Sequence, residues 1–318
     1  RLSFPAEFFL HDGRRRNDYA LGQSFFRSLR STPQLERERA EAHAFLVYEL
    51  AEALETLVRL PRVDIPNLAA VESGFLDIED AACELREHWS VPRGPIANVV
   101  RLLESRGVVV TRTDGVSRNV DAFSRWFGKR PIVVLCSGRS SLDRLRFDAA
   151  HELGHLVLHA DVEPGNRDLE EQAHAFAAAF LMPAADIADQ LPTQFDLRLF
   201  GELKQIWGVS IAALVYRART LGRFTEAVYK RAMITLSKNG RFVEPFYLSG
   251  EEELFVLPHA AEILRRDNMR IEDISLILRM PTDWIRKTMA ERIDDRPSVD
   301  VDVKPSQVPV QSLAAQAL

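Results

Sequence analysis

The 318 residues suffice for two or three domains and a sizeable core, and 46% hydrophobic with 27% charged residues exclude a disordered or fibrous chain. A net charge of −5 excludes a globally basic nucleic-acid binder. The two cysteines, Cys83 and Cys136, exclude a disulfide framework and point to a cytoplasmic location, and no signal peptide or apolar run of membrane-spanning length is present.

In chain order, Ser31-Thr32-Pro33 opens a long helix running through Leu35, Ala42, Phe45, Leu46, Leu50, Leu54 and Leu57 to Pro61. Its charged face, Glu36 to Glu41, reads as a solvent-facing strut, with a spacer or dimer helix as the more specific use. Helices follow at about 78–89 and 95–106, the second stopped by Gly107. Residues 107–112 and 131–136 read as strands, with a turn-rich or hairpin region at Asp121–Trp126 between them. Residues 131–135 are the expected sheet edge, where an extended peptide could add as a further strand.

Residues 145–159 form a nearly all-round apolar helix, the signature of a buried one. Ser140 or Ser141 can cap its start, and Asp161, Pro164, Gly165 and Asn166 mark its end. Within it stands His151-Glu152-Leu153-Gly154-His155. Residues four apart share a helix face, so both imidazoles can hold one zinc ion while Glu152 reaches a water on it. The competing reading is a pair of surface or hydrogen-bonded core histidines, but two His and a Glu are costly to bury without a partner such as a metal.

A catalytic ion needs a third protein ligand. The next helix, Asp168 to Pro183, offers Glu170 as ligand, with His174 one turn on to bond and orient a ligand, and Glu171 as the fallback. Its Ala173, Ala177, Ala178 and Ala179 permit close approach to the first helix. His159 lies four beyond His155, but three histidines on one straight helix cannot converge on one ion. It is read as a hydrogen-bond partner of a ligand or a helix C-cap.

The run Arg146-Phe147-xxx-His151-Glu152-Leu153-Gly154-His155-xxx-His159, followed by Glu170-xx-Ala173-His174-x-Phe176-Ala177-xxx-Leu181-Met182-Pro183, resembles the ImmA/IrrE family of bacterial metallo-endopeptidases, most strongly over about residues 95–245. The resemblance implies metal ligands at His151, His155 and Glu170, a general base at Glu152, and as substrate a helix-turn-helix repressor whose cleavage switches genes on. Many members have Asn where this chain has His174. Some carry a DNA-binding domain ahead of the protease; Arg1–Phe9 looks like the exit from one, so the chain is expected to be a fragment of a longer regulator.

Beyond 197, Leu203–Arg219 has the spacing of a helix-turn-helix, with a Gly208-Val209-Ser210 turn. Lys204, Arg217, Arg219, Arg223, Lys230, Arg231, Lys238 and Arg241 make the region locally basic. DNA contact through 203–223 is the weaker reading, and a helix pair packed on the protease the preferred one. A second such pattern at Ile271–Ile285 is too acidic for DNA, and residues 294–318 read as a disordered tail.

The expectation is therefore an α+β, mostly helical chain with a zincin-like metalloprotease core, a small sheet and a C-terminal helical region. Its divisions are 1–60, linker and long helix; 61–195, metalloprotease; 196–293, helical region; and 294–318, tail. Zinc is the expected ion, with Mn2+ or Fe2+ able to take a two-His, one-carboxylate site. Expected partners are the repressor substrate, DNA through a preceding domain, and a second copy of the chain, but no membrane. His159, Tyr216 and Arg217 are the candidates for an extra oxyanion donor. The rival functions are a non-proteolytic sensor, a toxin–antitoxin or phage-immunity component, and a plain DNA-binding protein.

Overall fold

The computed structural model describes residues 25–26, 34–68, 78–113, 122–136, 141–160, 162, 167–238 and 245–289. The expected exit segment at 1–9, the helix start at Ser31–Pro33, the stop signals at Asp161 and 164–166, Arg241 and the tail at 294–318 lie outside them.

A mixed sheet organises the molecule. Its strands are β1 (Phe25–Phe26), β2 (Val109–Thr113), β3 (Ala122–Phe127) and β4 (Arg130–Cys136), in the order β1-β3-β4-β2. β3 and β4 form an antiparallel hairpin, with Phe127 opposite Arg130 and Ala122 opposite Leu135. β2 runs parallel to β4, Val109 beside Ile132 and Thr113 beside Cys136. β1 adds antiparallel to the outer side of β3, placing Phe25 opposite Ser124. Residues 131–135 are thus the centre of the sheet, not its edge. Their unbroken apolar run already carries the reason: a strand covered on both faces and paired on both sides has no polar side to show.

The strand period of two divides the sheet residues between two cores. Val110, Ala122, Val133 and Leu135 face the front core. Val109, Phe123, Phe127, Ile132 and Val134 face the back core. In front lie α2 (Ile78–His88), α3 (Val99–Ser105), α4 (Leu142–Leu158), α5 (Arg167–Leu181), α6 (Ala184–Ile187), α7 (Leu197–Trp207), α8 (Ile211–Thr220) and α9 (Glu226–Lys238). Behind lie α1 (Gln34–Leu57), α10 (Val256–Arg266), α11 (Ile271–Leu278) and α12 (Thr282–Thr288).

α1 is not a solvent-facing strut. Ala40, Ala44, Val47, Ala51 and Leu54 recur at helical spacing and are buried against the sheet, and Tyr48 stacks on Phe127 with ring centroids 5.2 Å apart. The charges at its start gave the helix a polar look, while small alanines carry its packing stripe.

The basic helix pair packs inward as well. α7 ends at Gly208, whose φ of +64° is the left-handed turn that glycine takes at no steric cost, and Ser210 caps α8 by accepting from the Ala213 amide at 3.0 Å. Lys204 is buried and donates to Asp143 at 2.6 Å. Arg217 is buried and grips both carboxylate oxygens of Glu79 at 2.6 Å. Two of the basic residues that suggested DNA contact thus hold helices together. No helix among the described residues is long and apolar enough to cross a membrane.

Candidate metal centre

α4 is buried along almost its whole length, from Leu145 to Val157. The helix is held at its start by the Asp143–Lys204 pair and, one turn on, by Arg146, which pairs with the buried Glu252 and donates to the Ala97 and Ile96 carbonyls. This fixes which face of α4 meets α5.

Gly154 sets how close the two helices come. A Cβ there would lie 3.1 Å from the Phe176 ring and 3.2 Å from Ala173 Cα, tighter than most Cβ contacts, so a neighbour would have to give way. Glycine on one helix facing alanine on the other brings the backbones near enough for a short carboxylate on α5 to reach imidazoles on α4.

That carboxylate is Glu170. His151 Nε2 and His155 Nε2 are 3.2 Å apart, Glu170 Oε2 is 3.3 Å from the first, and Glu170 Oε1 is 3.5 Å from the second. Zinc bonds of about 2.0–2.1 Å put donor atoms about 3.3–3.4 Å apart at the corners of a tetrahedron. The two imidazole nitrogens are separated by about that edge, one Glu170 oxygen approaches each of them, and two imidazole nitrogens with a carboxylate are a donor set that zinc accepts. Among the described residues these three form a group able to hold a metal ion. Burial pushes the Glu170 carboxyl up, but hydrogen bonds and charge from His151 and His155 outweigh it and hold its pKa at about 2. The histidines are sealed from solvent, whereas the Glu170 side chain is 26% exposed, so the centre opens on the Glu170 side.

Glu171 is turned away, bonded to Arg167 at 2.8 Å on the surface. Glu152 is fully buried beside the histidines, and Ser124 Oγ on β3 donates to its Oε2 at 2.7 Å. His159 caps α4, its backbone N–H reaching the His155 carbonyl. Its ring Nδ1 lies 3.0 Å from His155 Nδ1, and its Nε2 lies 2.8 Å from Gln172 Oε1. Burial lowers the His159 pKa to about 4 despite the Gln172 hydrogen bond. His174 stands beside His151, ring centroids 6.5 Å apart, wedged between Phe147 and Tyr216 at 4.8 Å each. Arg217, engaged by Glu79 and by the Met182 carbonyl, belongs to the scaffold.

Sequence reasoning missed Ser124. Ser124 sits in a strand read as turn-rich, where its inward direction could not be foreseen.

Two imidazoles and a carboxylate brought together from two helices beside a small sheet fit a metallopeptidase site of the HExxH type. Comparison with known families agrees: residues 103–219 match the model for the IrrE N-terminal-like domain, peptidase family M78. The match spans β2 to α8 and includes all three residues of the metal group. No curated protein matches the chain.

Proposed function

We propose that the chain is a zinc-dependent endopeptidase that cuts a protein, and that this protein is a helix-turn-helix repressor, so that cleavage controls gene expression. The observation that carries the hydrolytic part is the convergence of His151, His155 and Glu170, whose ligand atoms lie within 4.8 Å of one another, with the neighbouring Glu152 buried. The repressor as substrate rests on the family resemblance.

His151, His155 and Glu170 would hold the ion. A divalent ion held there supplies an acidified water and a polarised scissile carbonyl. Glu152 takes the proton of the attacking water at Oε1, while Ser124 holds Oε2 and so fixes the plane of the carboxylate. Glu152 then returns the proton to the leaving amine. Tyr216, packed on His174 beside the site, is the remaining donor for the developing oxyanion, because Arg217 is tied to Glu79 and His159 to Gln172.

A substrate strand would lie along the outer side of β3, in line with β1 or in its place, since β3 carries Ser124 to the base and β4 is interior. Main-chain pairing of this kind tolerates many sequences and selects through a few side chains. The test is incubation of the zinc-loaded protein with candidate repressors. Cleavage that stops with a chelator or with Glu152→Gln supports the reading, and equal cleavage by that variant overturns it.

A further inference from the structure

We propose that the pocket bordered by Tyr216, between α2, α5 and α8, is a side-chain subsite of the peptidase that takes a bulky uncharged residue of the substrate. The inference rests on the endopeptidase reading above and deepens it.

The pocket lies on the path of a peptide bound at the centre. Glu152 meets β3 through Ser124, and Gly154 meets α5 at Phe176 and Ala173. Residues two apart on a helix point to nearly opposite sides. β3 and α5 therefore flank α4, and His151 and His155 lie between the two flanks, where Glu170 reaches them. A peptide paired with the outer side of β3 that continues past the histidines runs on over α5. Tyr216 stands there, its ring 4.8 Å from that of His174, which is 6.5 Å from that of His151. An extended chain advances about 3.3 Å per residue, so these two steps are spanned by about three residues or fewer.

Tyr216 is also a wall of a cavity of about 370 Å³. Ala175 and Ala178 of α5, Ala184 at the start of α6 and Leu221 after α8 line it, and the exposed Thr220 stands at its rim. Ala175 and Ala178 are three apart and share a helix face, and their short side chains leave the space open. The floor is ionic. Arg217, only 4% exposed, bonds both carboxylate oxygens of Glu79, and Glu79 Oε1 also accepts the Ala184 amide at 2.8 Å.

The ligand chemistry follows from walls and floor together. The volume suits one large side chain, and the walls favour apolar surface. A cation entering it meets Arg217, an anion meets Glu79, and either gives up its water to a pair that is already formed. A long aliphatic or aromatic residue has no such cost. β3 thus holds the peptide on one side of the scissile bond by its main chain, and the pocket selects a side chain two or three positions away on the other.

The test has two arms. In the first, the metal-free protein with isotope-labelled alanine and threonine methyl groups is titrated with N-acetyl-phenylalanine amide and with its aspartate and lysine counterparts. The phenylalanine probe is expected to shift the Ala175, Ala178 and Thr220 signals at millimolar concentration, and the charged probes are not. In the second, the zinc-loaded protein digests a proteome-derived peptide library. Cuts should show bulky uncharged residues two or three positions from the broken bond, on one side. Ala175→Phe, which fills the cavity, and Thr220→Trp, which covers its rim, should each lower kcat/KM for such peptides by about tenfold or more. Peptides with alanine at that position should be cut as before. Methyl signals unmoved by the phenylalanine probe overturn the proposal, as does a positional preference that both variants retain. Shifted signals with a library left whole would refute the hydrolytic reading and keep the pocket as a binding site for that side chain.

Discussion

Ser124 lies far from α4 in sequence, yet it holds Glu152, the residue proposed as the base. A carboxylate with no exposure keeps its geometry only if a neighbour holds it, and the Ser124 hydroxyl does so at 2.7 Å. Glu152→Gln is expected to keep zinc and lose about 10²–10⁴-fold in turnover, measured as kcat on a cleavable repressor. Ser124→Ala should lower kcat while leaving zinc affinity alone; a matching fall in zinc affinity would mean that Ser124 supports the fold rather than the base. The histidine spacing was legible because residues four apart share a helix face, and the approach of Glu170 was legible from the face that it shares with His174 and from the family resemblance. The Ser124 contact was not, because it depends on which strand faces α4, and that is set by long-range packing.

Among the elements, the α4–α5 crossing decides whether the centre can assemble. Gly154→Val would push a branched side chain into Phe176 and Ala173, costing about 1–3 kcal/mol as overpacking does. It should also weaken zinc binding, because Glu170 would be carried away from the imidazoles. Thermal unfolding and zinc titration of the same variant check both parts; destabilisation with unchanged zinc affinity would show that the crossing has slack. The alanine run announced this close approach in the sequence. α1 was misjudged because its stripe is built of alanines beneath a charged start, so side-chain polarity hid which face was buried.

A second joint ties the front of the molecule to the back. Glu104 at the end of α3 accepts the Phe255 and Val256 amides at 2.8 and 3.1 Å, at the start of α10, while Glu252 accepts the Val100 amide at the start of α3 at 2.8 Å. Burial outweighs these hydrogen bonds and raises the Glu104 pKa to about 8. The folded state therefore binds this proton more tightly than the unfolded chain. The contribution is fully present below the unfolded value near 4.5 and is lost as pH rises through about 8. Denaturant midpoints should fall between pH 5 and 9, and Glu104→Gln should flatten that slope even if it lowers the baseline. A slope equally steep in the variant would remove Glu104 as its source.

At the scale of the whole molecule, the sheet is a shared wall with the candidate metal centre on one side and α1 with α10–α12 on the other. Strand content and a helix-rich class were readable from periodicity. Strand order was not, because a parallel β2–β4 pair around a hairpin leaves no mark on either strand alone. The basic stretch at 203–223 was ambiguous for a related reason: composition counts Lys204 and Arg217 as cations without saying that Asp143 and Glu79 hold them inside. Lys204→Ala should accordingly act on stability, by about 3–5 kcal/mol as for a broken buried pair. Near-normal stability with a selective loss of duplex binding would reverse that assignment.

The most direct test is equilibrium zinc titration of the metal-free protein beside Glu170→Ala, with folding of both checked by circular dichroism. The account predicts one ion bound per wild-type chain and a large loss of affinity in the folded variant. Equal uptake by the two proteins, or no uptake by the wild type, would contradict it.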